Sequence, residues 1–308
     1  MIISHMRAFR LWTLCSVLLC ASPLYAGAGA GSGAPSGPVH GLWVWKSNTV
    51  LETQHGAEAL KDFCRSQGIN EIYVSYSASA TSSSVSASDE RLLAHLIGLL
   101  HEAKIQVEAL LSSADADQPG KHREKLLGEA REIVQFNRTH PGSRFDGIHL
   151  DVEPQQRPEN KGAGNLQFLP GLVDAFRAVR AVAEPAGMTV NADIQNKLLK
   201  GDAGQRKMLL SSLPRLTLMM YELSSPDDGK TADQKAEGAE KNSKKFLDMA
   251  YDGLSDRNLA KMTIALRTPD YGALLPKMLG KLDESNGANP HYLGWARHSY
   301  NDTLQAGR

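Results

Sequence analysis

Phe145-Asp146-Gly147-Ile148-His149-Leu150-Asp151-Val152-Glu153-Pro154 is the stretch that decides how this chain folds. Side chains of a β-strand alternate between its two faces. Ile148, Leu150 and Val152 therefore share one face, while His149, Asp151 and Glu153 share the other. The apolar face suits covering helices. Three titratable groups on the opposite face are costly to bury unless they are paired or used. Glu153 is followed by Pro154 and so stands at the C-terminal exit of the strand.

Seven other strand-like runs flank it, at 41–45, 71–75, 106–111, 189–193, 216–221, 262–267 and 292–295. Helical patterns lie between them, clearest at 89–103, 121–136, 166–183 and 233–251. In the first of these, Leu92, Leu93, Leu96, Leu99 and Leu100 form an apolar face behind Ser88 as a cap. Alternating β and α runs argue for a parallel sheet. Eight units of this size in one chain predict an α/β fold of one closed (β/α)8 barrel, the TIM barrel, over residues 39–308. In such a barrel the C-terminal ends of the strands form the catalytic face, where Glu153 sits. No dinucleotide or P-loop glycine motif follows the first strand, which counts against an open nucleotide-binding sheet.

The chain of 308 residues carries 34 Lys and Arg against 34 Asp and Glu. A nucleic-acid binder would need a basic excess, so none is expected as a partner. Arg7 and Arg10 precede a short apolar run at 11–19, and Leu24-Tyr25-Ala26 offers a small-residue cleavage site. Residues 1–26 therefore read as a signal peptide, too short in its apolar part for a bilayer span. Cleavage leaves a secreted or periplasmic chain without stable membrane insertion, expected to be a monomer. Residues 27–38 hold only Gly, Ala, Ser and Pro, the composition of a flexible tether. Cys64 is then the one thiol left, on a helical face with Ala57, Leu60 and Phe63, and reads as a buried structural cysteine.

Asp146-Gly147-x-His149-x-Asp151-x-Glu153 resembles the D-G-x-D-x-D-x-E signature of family 18 glycoside hydrolases, the chitinase-like barrels. Met219-Met220-Tyr221-Glu222 resembles the M-x-Y-D of the same family, and Trp295 resembles the tryptophan that floors its sugar subsite. The resemblance implies that Glu153 is the general acid. It implies that Asp151 orients an N-acetyl group whose oxygen attacks the anomeric carbon, and that Tyr221 hydrogen-bonds that group. This is the substrate-assisted variant of glycoside hydrolysis. The chain departs from the pattern at His149, where the family has Asp, and at Ser112-Ser113-Ala114, where the third strand usually ends in glycines. A divergent branch acting on another glycan is expected, with His149 facing Asp151 or Glu153.

Further residues join this expectation. Asn191 and Asp193 share one face of the fifth strand, with Asp193 at its exit as a substrate contact. Trp45 lies nearer the exit than Trp43 and reads as a sugar-stacking ring, with Trp43 as core. Glu222 stands one past Tyr221 and reads either as a second substrate contact or as a side chain turned away from the lumen. Arg267 ends the seventh strand and can meet either an acidic sugar or a neighbouring carboxylate. Glu108 faces either the lumen, as a second carboxylate, or solvent near the strand start. Histidine spacing gives no metal site, and no cofactor is expected. Asn137-Arg138-Thr139 and Asn301-Asp302-Thr303 fit the glycosylation pattern. Three readings follow: a glycoside hydrolase on a β-linked, N-acetylated polysaccharide; a barrel that binds glycan without cleaving it; and a hydrolase of a deacetylated or uronic glycan using a second carboxylate.

Overall fold

The computed structural model describes residues 37–77, 89–160, 166–221 and 229–306. The expected signal peptide, residues 27–36 of the tether, Ser88 and Glu222 lie outside these described residues.

Eight parallel strands close into a barrel in chain order. They are β1 (Val39–Val44), β2 (Glu71–Ser75), β3 (Gln106–Ser113), β4 (Gly147–Val152), β5 (Thr189–Gln195), β6 (Arg215–Met219), β7 (Lys261–Arg267) and β8 (Tyr292–His298). β8 returns to pair with β1, so no edge strand is left exposed. The expected (β/α)8 architecture is the observed one. Several strand ends differ by one to three residues; among them, β5 runs two residues past Asp193 and β8 three past Trp295. Both extensions add polar residues, Gln195 and His298, on the lumen side. Polarity does not end a strand whose inner face opens on a polar mouth.

The helices used below are α1 (Ser47–Glu52), α2 (Gly56–Ser66), α3 (Glu90–Glu102), α4 (Lys121–Thr139), α5 (Leu169–Ala183), α6 (Ala203–Leu210), α7 (Ala232–Tyr251), α8 (Thr268–Tyr271) and α9 (Leu275–Asn286). α5 shows why such runs are helical. Leu169, Leu172, Val173, Phe176, Val179 and Ala183 fall on one stripe, all buried against the sheet and α4. Pro170 sits in the first turn, where no backbone N–H is needed. Asp202 and Thr231 cap α6 and α7, each exchanging bonds with a glutamine three residues on.

Outward strand residues and inward helix residues form the main core. A second apolar cluster, Trp43, Tyr73, Leu110, Ala265 and Ala296, fills the barrel lumen. Cys64 is buried in the main core, and burial pushes its thiol up to about 12, which suits the structural role expected of it. Asn137 is also buried. Its amide donates to the Phe145 carbonyl and its oxygen accepts from the Phe145 N–H, both at 2.8 Å, so this sequon is spent on the fold.

Candidate active site

The site begins at the floor of the barrel. Glu108 on β3 lies opposite Gly147 on β4, and a Cβ at Gly147 would come within 2.9 Å of the Glu108 carboxylate. The glycine therefore makes room for a buried acid. Glu108 accepts from Asn191 Nδ2 at 2.5 Å, and Arg215 reaches it at 3.9 Å. The same Arg215 donates to Glu71 at 2.5 Å, and the Tyr73 hydroxyl donates to Glu71 at 2.9 Å. Glu108 is thus a lumen residue, far below the mouth. It is not a second carboxylate at the exit.

His149 occupies the next layer and is completely buried. Its Nδ1 faces Glu108 Oε2 at 3.2 Å and its Nε2 faces Asp193 Oδ1 at 2.8 Å. Tyr73 stacks on the imidazole at 3.8 Å, and Trp43 meets it edge-on. Burial alone would lower the His149 pKa. The charges and hydrogen bonds of Asp193 and Glu108 overcome that and raise it to about 10. The expectation that His149 hydrogen-bonds Asp151 or Glu153 is corrected, because its two nitrogens turn sideways to β3 and β5. Period two fixes the face of a strand residue, while the neighbouring strands fix which groups it meets.

Asp193 is corrected likewise. It is one layer below the exit, and both its oxygens are engaged, by His149 and by Trp43 Nε1 at 3.3 Å. The lumen residue at the β5 exit is Gln195. It donates to Glu153 Oε1 at 3.0 Å. Extending the alternation of Asn191 and Asp193 by two residues would have found it.

Glu153, Asp151 and Tyr221 come together at the mouth. Glu153 also accepts from Gln155 at 3.0 Å and from Gln156. Burial raises its pKa; the Gln195 and Gln155 amides offset part of the rise, and the Asp193 charge adds to it. Asp151 meets Ser112 at 3.5 Å through Oδ2, while its buried Oδ1 has no hydrogen-bond partner among the described residues. Burial, with the Asp193 and Glu153 charges, holds its carboxyl well above the usual range. The Tyr221 hydroxyl is likewise buried and unpartnered among the described residues. Burial and the charges of Asp193, Asp151 and Glu153 all oppose its ionisation.

Two side chains, one at each end of β4, brace this geometry. Arg157 forks onto both oxygens of Asp117 at 2.8 Å, tying the turn after Glu153 to the β3–α4 connection. Asp146 accepts from Val107 N at 2.8 Å and faces His101 at 2.9 Å, locking the start of β4 to β3 and α3.

Trp45 packs against the lumen cluster at the mouth and donates to His298 Nε2 at 2.7 Å. An indole N–H can only donate, so that ring nitrogen accepts and the proton of the neutral imidazole is on Nδ1, facing Asp302. His298 also lies against Trp43 and Tyr221. It is the lumen residue at the exit of β8, a place the sequence reading assigned to Trp295. Trp295 is corrected: it points outward, stacks on His40 at 4.2 Å and donates to Asp283 at 3.0 Å. Gly294, Ala296 and His298 take the inner face instead, and Gly294 is the position where β8 approaches Val39 of β1 too closely for any side chain. Arg267 pairs with Asp270 of α8 through Nε at 3.1 Å and Nη2 at 2.6 Å, the second of its two expected roles. Among the described residues, no group of three His, Cys, Asp or Glu is arranged to hold a metal ion.

No protein-family model and no curated protein matches this chain. Solved structures do. A chitinase from Bacteroides thetaiotaomicron is similar at 11% identity, covering 88% of this chain and 94% of that one, with a TM-score of 0.55. The PgaB (BpsB) glycoside hydrolase domain from Bordetella bronchiseptica is similar at 11% identity over 88% and 96%, with a TM-score of 0.52. The GH5_18 protein of Bifidobacterium longum subsp. longum, solved with Manβ1-4GlcNAc, is similar at 10% identity over 84% and 68%, with a TM-score of 0.59. At these identities the likeness is one of fold: this chain shares the (β/α)8 barrel of those structures at great sequence distance.

Proposed function

We propose that this chain is an exported glycoside hydrolase that cleaves a β-linked, N-acetylated polysaccharide, working as a monomer with Glu153 as its general acid. One observation carries the reading. Asp151 Oδ1 and the Tyr221 hydroxyl are buried, unpartnered among the described residues, and electrostatically linked to each other and to Glu153. Buried polar atoms without partners are rare, and at a barrel mouth they suit a polar ligand.

In this reading Glu153 gives its proton to the glycosidic oxygen as the bond to the anomeric carbon breaks. The acetamido oxygen of the substrate bonds to that carbon, held by Asp151 and Tyr221. Glu153 then takes a proton from water, which opens the intermediate. Burial favours the protonated form that the first step needs. Trp45 lies at the mouth to stack against a sugar ring, and Arg267 stands at the rim. Export rests on Arg7, Arg10 and the apolar run that follows them.

The test compares wild type with Glu153→Gln on a polymer of β-linked N-acetylglucosamine, following new reducing ends and, separately, binding. Turnover is expected to fall ~10²–10⁴-fold with binding retained. Equal turnover in the two proteins would overturn the assignment. A barrel that binds glycan without cleaving it is the second reading. It is favoured by the three glutamine amides that occupy the Glu153 carboxyl. Wild type that binds the polymer and releases no ends would select it.

A further inference from the structure

The lumen holds four buried carboxyls, Glu71, Glu108, Asp151 and Asp193, and two basic side chains that pair with them, Arg215 and His149. Five of these six form a row: Glu71 with Arg215, Arg215 with Glu108, Glu108 with His149, and His149 with Asp193. Signs alternate along the row, and it begins and ends on an acid. Asp151 stands outside it. Both ring nitrogens of His149 face carboxylate oxygens. A neutral imidazole keeps one bare lone pair, which would here be aimed at an acceptor in a site without solvent. With both neighbouring carboxyls ionised, the doubly protonated ring satisfies both contacts. Asp193 in turn receives an N–H on each oxygen.

We propose that His149 is a positioning residue: an imidazolium at neutral pH that pairs with Glu108 and Asp193 from its two nitrogens, so that the proton left at the top of the lumen resides on Asp151. The surroundings of the ring agree. β1 and β2 present Trp43 and Tyr73, β7 and β8 present Ala265 and Ala296, and β6 presents Arg215, which is engaged with Glu71 and Glu108. Asp151, two residues along the same strand, has one buried oxygen without a partner among the described residues and feels the charge of Asp193 at the end of the row. Like charges at short range in a low dielectric cannot both stay ionised. The consequence for catalysis rests on the glycoside hydrolase reading: a neutral Asp151 can donate a hydrogen bond to substrate, which a carboxylate cannot.

The test needs no substrate. Side-chain NMR of the full chain reads the protonation of the His149 nitrogens and of the Asp151 carboxyl between pH 5 and pH 10. At pH ~8.5, two units above an ordinary histidine, both His149 nitrogens are expected to carry protons, and Asp151 is expected in its acid form at pH ~6. In Asp193→Asn, which keeps one acceptor oxygen where Asp193 offers two, the midpoint of Asp151 should fall by about one pH unit or more. A singly protonated His149 at pH ~8.5, or an ionised Asp151 at pH ~6, overturns the proposal. So does an unmoved Asp151 midpoint in the variant. If Asp193→Asn does not fold, the two wild-type signals decide alone. Absence of glycan cleavage with these signals present rejects the hydrolase reading and leaves the proposal standing.

Discussion

Asp151 and Tyr221 bring buried, unpartnered oxygens to the mouth that holds Glu153, and in the proposed reaction both hold one acetamido group. Groups that hold the same substrate fragment lose their effect together. Asp151→Asn and Tyr221→Phe are each expected to slow turnover by roughly ten- to a hundredfold. The double variant should be about as slow as the slower single one. A double variant as slow as the product of the two losses would refute a shared role. Tyr221→Phe removes a hydroxyl and Asp151→Asn replaces the acid by an amide of the same size, so melting temperatures check that the fold is intact.

The turn after β4 holds Glu153 through contacts made by other elements. Gln195 at the end of β5 binds the carboxyl, and Arg157 anchors the turn on Asp117, before α4. Arg157 is mostly shielded, and Asp117 is 5% exposed. Removing one partner of such a pair leaves an uncompensated buried charge, which costs about 3–5 kcal/mol. Arg157→Ala should therefore lower stability by about that amount in urea unfolding and also reduce turnover, because the segment beside Glu153 is released. Arg157→Lys should recover little, since a lysine cannot present a planar fork to both oxygens. Full recovery by lysine would mean that charge alone, rather than geometry, holds the turn.

Across the whole molecule, two raised histidines make stability depend on pH. For His40, burial lowers the pKa, but the hydrogen bonds to Asp283 and Gly68 and the Asp283 charge win, and it is raised; His149 is carried up to about 10. A group whose folded pKa exceeds its unfolded value contributes fully below the unfolded pKa and loses that contribution as pH rises through the folded one. Stability is thus expected to decline from pH ~6.5 upward, with the His149 share lost on the way to about 10. Asp283 acts at the other end. Burial would raise its carboxyl, but bonds from His40, Tyr292 and Trp295 lower it, so its share is lost only in acid. Urea midpoints at pH 6, 8 and 9.5 measure the alkaline side. A midpoint that holds constant or rises over that range counts against the two histidine assignments.

Local patterning was enough for the architecture. Period-two runs and helical stripes follow from residue order, because backbone geometry sets the period wherever the strand lies. The inward faces of β4 and β5, the outward place of Leu150, and the convergence of Glu153 with Asp151 on one lumen face were all legible in that way. What needed the closed barrel was the identity of neighbours. Glu108 and Asp193 meet at His149 from positions 41 residues before it and 44 after it, brought there by strand register. His298, which the sequence reading left beyond the strand, takes the lumen place expected of Trp295, because the strand end and the positive-φ Gly294, pressed against β1, set which residues of β8 turn inward. Alternation along one strand is a property of its own sequence. The partner of a buried charge is decided by strands far away in the chain, and only closure of the barrel brings them within hydrogen-bonding distance.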